Sequence, residues 1–102
     1  MAVQIIENWS KIIGIVQSLQ PSTEVDEFLA VEVEVQSVQP VEGFPNLLDD
    51  AIGKNLVIHM PKTLAEELGI TAFDRIECRV RQAGPNRYFV HREYVTVTHP
   101  NE

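Results

Sequence analysis

Cysteine is almost absent. Cys78 is the only one in 102 residues, so no intrachain disulfide framework exists and a reducing, cytoplasmic setting is the expectation. No apolar run approaches the roughly 18 residues that a membrane-crossing helix requires. The start Met1-Ala2-Val3-Gln4-Ile5-Ile6-Glu7-Asn8 lacks a basic leader followed by an apolar segment, so neither export nor a membrane span is expected. Aromatics make up 7% of the chain, and Gly-rich phosphate cradles running from a strand into a helix are missing. Positive charge is scarce too: eight Lys and Arg face fifteen Asp and Glu, a net charge of -7. That balance disfavours a generic grip on polyanions, because phosphate binding needs local positive charge.

What is there suits one small globular domain over residues 1–102, with 99–102 as a frayed, flexible tail. The hydrophobic fraction of 44% supports collapse without metal or disulfide staples. Charge is unevenly spread: residues 1–53 hold Lys11 alone against nine acids, whereas 54–102 hold seven cations against six. Such polarity can orient a partner or a second copy.

Strand signals dominate. Ile12, Ile13, Ile15 and Val16 supply β-branched side chains to a first strand over 11–19, in which Gly14 marks either a bend or a close packing position. Leu29, Val31, Val33 and Val35 alternate with Ala30, Glu32, Glu34 and Gln36, the period of a half-buried second strand. Residues 40–53 are rich in Pro, Gly, Asn and Asp and read as a loop. Its Phe44, Leu47, Leu48 and Ile52 are expected to cover an open side of the core, the alternative being a sticky surface.

A third strand over 55–60 ends at Pro61. A short helical insert follows over 61–70, with Thr63 and Glu66 spaced as a capping box, Leu64, Ala65 and Leu68 as the apolar stripe and Gly69 as the stop. Ile76, Cys78 and Val80 alternate with Arg75, Glu77, Arg79 and Arg81 in a fourth strand. A turn over 83–86 leads to a fifth strand over 88–98, as one run or as two short pieces. The expected fold is therefore all-β with one short helix between strands three and four, closed or partly closed as a small β-barrel.

That element order resembles the OB-fold superfamily, five-stranded Greek-key barrels with a helix between strands three and four. The resemblance spans about residues 10–98 and implies a binding module, oligonucleotides being common ligands and protein assemblies another use. A shorter stretch, residues 56–76 with Met60-Pro61, Leu68-Gly69-Ile70 and Phe73-Asp74, resembles the AbrB/MazE-like swapped-hairpin DNA-binding family. There Met60 and Phe73 replace the usual Ile and Gly.

Candidate sites fall into two groups. Arg75, Arg79, Arg81, Arg87 and Arg92, with Tyr88, Phe89 and Tyr94 to stack on bases, form a candidate surface for single-stranded nucleic acid. Glu77 interrupts the row, and Glu32 and Glu34 make the second strand acidic; cross-strand charge balance is the plainer reading. Trp9, Phe44 and Leu47 form a candidate interface for a protein partner or self-association, Trp9 alternatively capping the core with Ile5 and Ile6.

Catalysis and cofactors draw no support. His59, His91, His99 and Cys78 lack ligand spacing for a metal. Ser10, Ser18, Ser22 and Ser37 sit in no nucleophile elbow, and Asp49-Asp50 reads as a solvated loop pair. No catalytic, cofactor-binding or metal residue is expected. The leading functional expectation is a non-enzymatic binding or assembly module acting through protein–protein contacts, with single-stranded nucleic acid as the alternative ligand.

Overall fold

The computed structural model describes residues 7–100. Strand β1 (Ser10–Pro21) pairs antiparallel with β2 (Phe28–Pro40), and β2 with β3 (Asn55–Pro61). After helix α1 (Lys62–Leu68), β4 (Arg75–Gly84) pairs antiparallel with both β1 and β5 (Arg87–Thr98). The hydrogen-bonded order runs β1-β2-β3-β5-β4 and returns from β4 to β1.

This corrects the expected OB-like β-barrel. The β3–β5 junction is parallel and consists of only two register pairs, Ile58 with Tyr88 and His59 with Phe89. Every other junction is antiparallel and longer. We therefore describe a five-stranded mixed sheet with Greek-key-like connectivity, curled around its apolar face and joined only briefly at β3–β5, in place of the expected OB-like Greek-key barrel. The single helix does lie between strands three and four.

Alternation builds the core. Ile12 and Val16 from β1, Val31, Val33 and Val35 from β2, Ile58 and Met60 from β3, and Ile76, Cys78 and Val80 from β4 are all buried. Each fully buried aliphatic side chain contributes roughly 1.5–3 kcal/mol relative to exposure. Gly14 serves both of its sequence readings. The register against β2 shifts between Ile13 and Gly14, and a Cβ there would press on the Glu34 carbonyl oxygen and lie 2.6 Å from Val33 Cγ1.

Helix α1 differs from the sequence reading at its start. Pro61 is its N-cap and no side chain caps it, so Thr63 and Glu66 lie inside the helix and make no capping box. Its end follows the expected pattern. Gly69 has φ 62°, in the left-handed region that suits glycine, and its N–H donates to the Glu66 carbonyl. Ala65 is buried and Leu64 and Leu68 pack on the core, so the helix is held by docking.

The 41–54 connection also departs from expectation. Val41, Leu48 and Ala51 turn inward, the last from a 3-10 turn over Asp49–Ala51. Phe44, Leu47 and Ile52 remain 37%, 50% and 56% exposed. Val41, Leu48 and Ala51 already fill the space beneath, which leaves Phe44, Leu47 and Ile52 outside. Asn46 anchors the segment: its carbonyl accepts from the buried Ser10 hydroxyl and the Leu48 N–H, and its amide donates to Asp49.

Candidate binding surface

The outer parity of β4 presents Arg75, Glu77, Arg79 and Arg81, opposite the buried Ile76, Cys78 and Val80. Pairing with β5 is regular from Arg75–Thr98 to Cys78–Val95 and resumes from Val80–Val90 to Gln82–Tyr88, with a second shift before Gly84. Between Cys78–Val95 and Val80–Val90, Arg79 alone on β4 faces His91, Arg92, Glu93 and Tyr94 on β5. The extra residues bulge outward, and their side chains stack along the sheet. Trp9 lies against His91 with ring centroids 4.8 Å apart, and His91 meets Tyr94 edge to face at 4.7 Å. The Arg79 guanidinium sits 3.7 Å from the Tyr94 centroid, within cation–π range. Lys11 and Glu77 form an ion pair of 3.0 Å beside this row and, with Arg79, Tyr94 and Thr96, line a depression of about 150 Å³.

The remaining sequence candidates are dispersed. Arg75 and Arg92 are exposed, Arg92 within the bulge. Arg81 is exposed and lies 5.9 Å from the Phe89 centroid. Phe89 is half-buried, edge to face with Phe28 and tilted on His59, while Tyr88 packs against the core. Arg87 is engaged at the start of β5 by Glu24, 3.0 Å away. Such exposed pairs contribute about 0–1 kcal/mol. Trp9 is half-buried on the bulge; the expected contribution of Ile5 and Ile6 to a cap lies outside the described residues. Phe44 and Leu47 stand in the 41–54 connection, which meets β1 at Ser10, the residue paired with Val80.

Two groups escaped the sequence reading. Phe73 is 68% exposed and holds φ 73°, a conformation uncommon for a bulky residue. Its N–H donates to the Val16 carbonyl at 2.7 Å, so the turn is pinned to β1. Asp74 beside it is buried. Its carboxylate accepts from the Thr71 N–H and hydroxyl and contacts His99 Nδ1 at 2.9 Å. Burial opposes ionisation of Asp74, but the Thr71 amide, His99 and the Thr71 hydroxyl together hold its carboxyl below the ordinary value of 3.8. The usable sequence signal for Phe73 was its place where a glycine is usual in the hairpin family.

The nucleophilic side chains near this surface are masked or otherwise engaged. Cys78 is buried, and desolvation, with a smaller effect of Glu77, pushes its thiol up to about 12, so it carries little thiolate at neutral pH. Ser22 Oγ lies 3.4 Å from His59 Nδ1, yet the same oxygen accepts the Glu24 and Val25 N–H groups. That is a turn-capping hydroxyl, not one oriented as a nucleophile. Among the described residues, no group of three His, Cys, Asp or Glu side chains converges to hold a metal ion, and no helix is long and apolar enough to cross a membrane. The described residues form a small, mostly-β domain, and no catalytic motif occurs among them. No family model, curated protein or solved structure matches the chain.

Proposed function

We propose that this chain is a non-enzymatic binding or assembly module that works through protein–protein contacts. The observation that carries this reading is the exposure of Phe44, Leu47 and Ile52 on an anchored segment. Leu48 and Ala51 fasten that segment into the core and Asn46 ties it to β1, so the exposed groups are presented on fixed backbone. Binding through preorganised apolar groups avoids much of the ordering cost of association. Phe73, exposed on a pinned turn, adds an aromatic of the kind that anchors interfaces.

A photoreactive benzophenone amino acid in place of Leu47, irradiated in the cells of origin, tests it. Adducts of protein mass are expected. Their absence at Leu47, and at Phe73 treated in the same way, would overturn the reading.

One observation favours single-stranded nucleic acid as a second reading: Arg75, Arg79 and Arg81 share one face. Glu77 and Glu93 lie within that surface, and Tyr88 and Phe89 are packed against other groups, which leaves the surface less basic and less open to base stacking. Titration with short DNA and RNA at low salt decides it, since phosphate contacts are strongest there; no binding removes this reading.

A further inference from the structure

We infer that the protein partner is a second copy of this chain, joined by a two-fold contact in which the 41–54 connection of each copy lies on the arginine face of the other. This rests on the protein-contact reading above and names its occupant. Two surfaces carry it. The 41–54 connection is apolar at Phe44, Leu47 and Ile52 and acidic at Glu42, Asp49 and Asp50, all exposed, with Lys54 alone opposing them. The outer face of β4 presents Arg75, Arg79 and Arg81 around Glu77, and the turn that precedes the strand carries an exposed aromatic, Phe73. The guanidinium groups outnumber Glu77 and Glu93 on their own face, Glu77 being already paired with Lys11, so the connection offers them further carboxylates and offers Phe73 apolar side chains.

Their placement suits a closed pair. The connection is fastened at Ser10, which pairs with Val80, so it meets the arginine row at the Arg81 end. Phe73 stands at the opposite end, beyond Arg75. From Arg75 to Arg81 the strand advances about 20 Å. Turning a second copy by a half rotation about an axis through the middle of the row, near the Lys11–Glu77 pair, sets each connection over the Phe73 and Arg75 end of its neighbour. One patch then serves both contacts, as an isologous interface requires. The chain's net charge of -7 opposes bringing two copies together, so attraction must come from this local match, and it weakens as salt shortens the Debye length.

Reciprocal charge reversal tests it. Sedimentation equilibrium is run on the unaltered chain, on R75E/R81E and on E42K/D50K; these positions are exposed, and Asp49, which receives the Asn46 amide, is left in place. Far-UV circular dichroism and thermal unfolding confirm that each variant is folded. The unaltered chain is expected to be a dimer that loosens in high salt. Each variant alone should dimerise about a hundredfold more weakly, because both of its contacts are repulsive. An equimolar mixture should restore the dimer, because both contacts then join opposite charges.

Three results overturn the inference: an unaltered chain that stays monomeric at high concentration, a dimer indifferent to either reversal, or no recovery on mixing. A monomer that nevertheless crosslinks through position 47 to a different protein removes the second copy and leaves the protein-contact reading intact. A monomer with no crosslink removes both.

Discussion

The β1–β2 and β4–β5 ladders are both long antiparallel pairings, yet they use their irregularities differently. In β1–β2 the shifts occur next to Gly14 and between Val16 and Ser18, and pairing continues on either side from Ser10–Pro40 to Pro21–Leu29. The irregularity there bends a wall whose inner residues stay buried. In β4–β5 the pairing is interrupted opposite Arg79, and the displaced residues carry a cation–aromatic stack on the outside. One departure from regularity serves closure of the core; the other builds surface. Bulges that re-aim side chains are an established use of such interruptions.

The comparison predicts a steep gradient in mutational cost, measurable by chemical denaturation. Gly14→Val stands at the top: with the Glu34 carbonyl and Val33 Cγ1 already against the Cβ position, it should cost about 3 kcal/mol. Asp74→Ala comes next at about 2–3 kcal/mol, since the Thr71 N–H and hydroxyl lose a buried charged acceptor.

Asp74 also sets a pH dependence. Its folded carboxyl titrates below its unfolded value, so its contribution is fully present above about pH 4 and is lost as pH falls through the lower folded value. The Asp74→Ala variant should lack that part of the acid limb, and an unchanged acid limb would count against the buried network. Asn8→Ala, which removes both of the side-chain bonds to the Gln82 backbone, should cost about 1–2 kcal/mol. At the bottom, Tyr94→Ala should cost under about 1 kcal/mol. If Tyr94→Ala proved as costly as Gly14→Val, the bulge would be part of the stabilising wall and the contrast between the ladders would fail.

Much of the architecture was legible because one face of each strand is buried. The alternation at Val31, Val33 and Val35 survives intact, and the inward parity of Ile76, Cys78 and Val80 was correctly placed. Element order and the Gly69 stop were legible for the same reason: periodicity and left-handed backbone leave local marks. What failed depended on nonlocal competition. Pro61 occupies the N-cap position that Thr63 was expected to fill. Leu48 turned inward as expected, but Val41 and Ala51 joined it there in place of Phe44, Leu47 and Ile52.

The run His91–Tyr94 falls inside the strand expected over 88–98 as one run or two short pieces, but nothing local places the interruption opposite Arg79. A loop aspartate ordinarily reads as solvated, so Asp74 was invisible until its Thr71 and His99 contacts were in view. The barrel expectation erred at a pairing that no single segment encodes, the short parallel junction of β3 with β5. Of the candidate surface, Arg79 and Tyr94 were both anticipated, but their union with Trp9 and His91 required the bulge.

That β3–β5 junction has a dynamic consequence. With two register pairs joining the strands, few backbone hydrogen bonds must break for them to part, whereas the β1–β2 ladder must lose many. Partial opening should therefore start there, exposing to solvent exchange the one amide of the Tyr88–Phe89 pair that points toward β3, at a lower free energy than the amides of Val31 and Val33. The sheet has a preferred place to come apart, and the chain can breathe along that line while the rest of its wall stays whole.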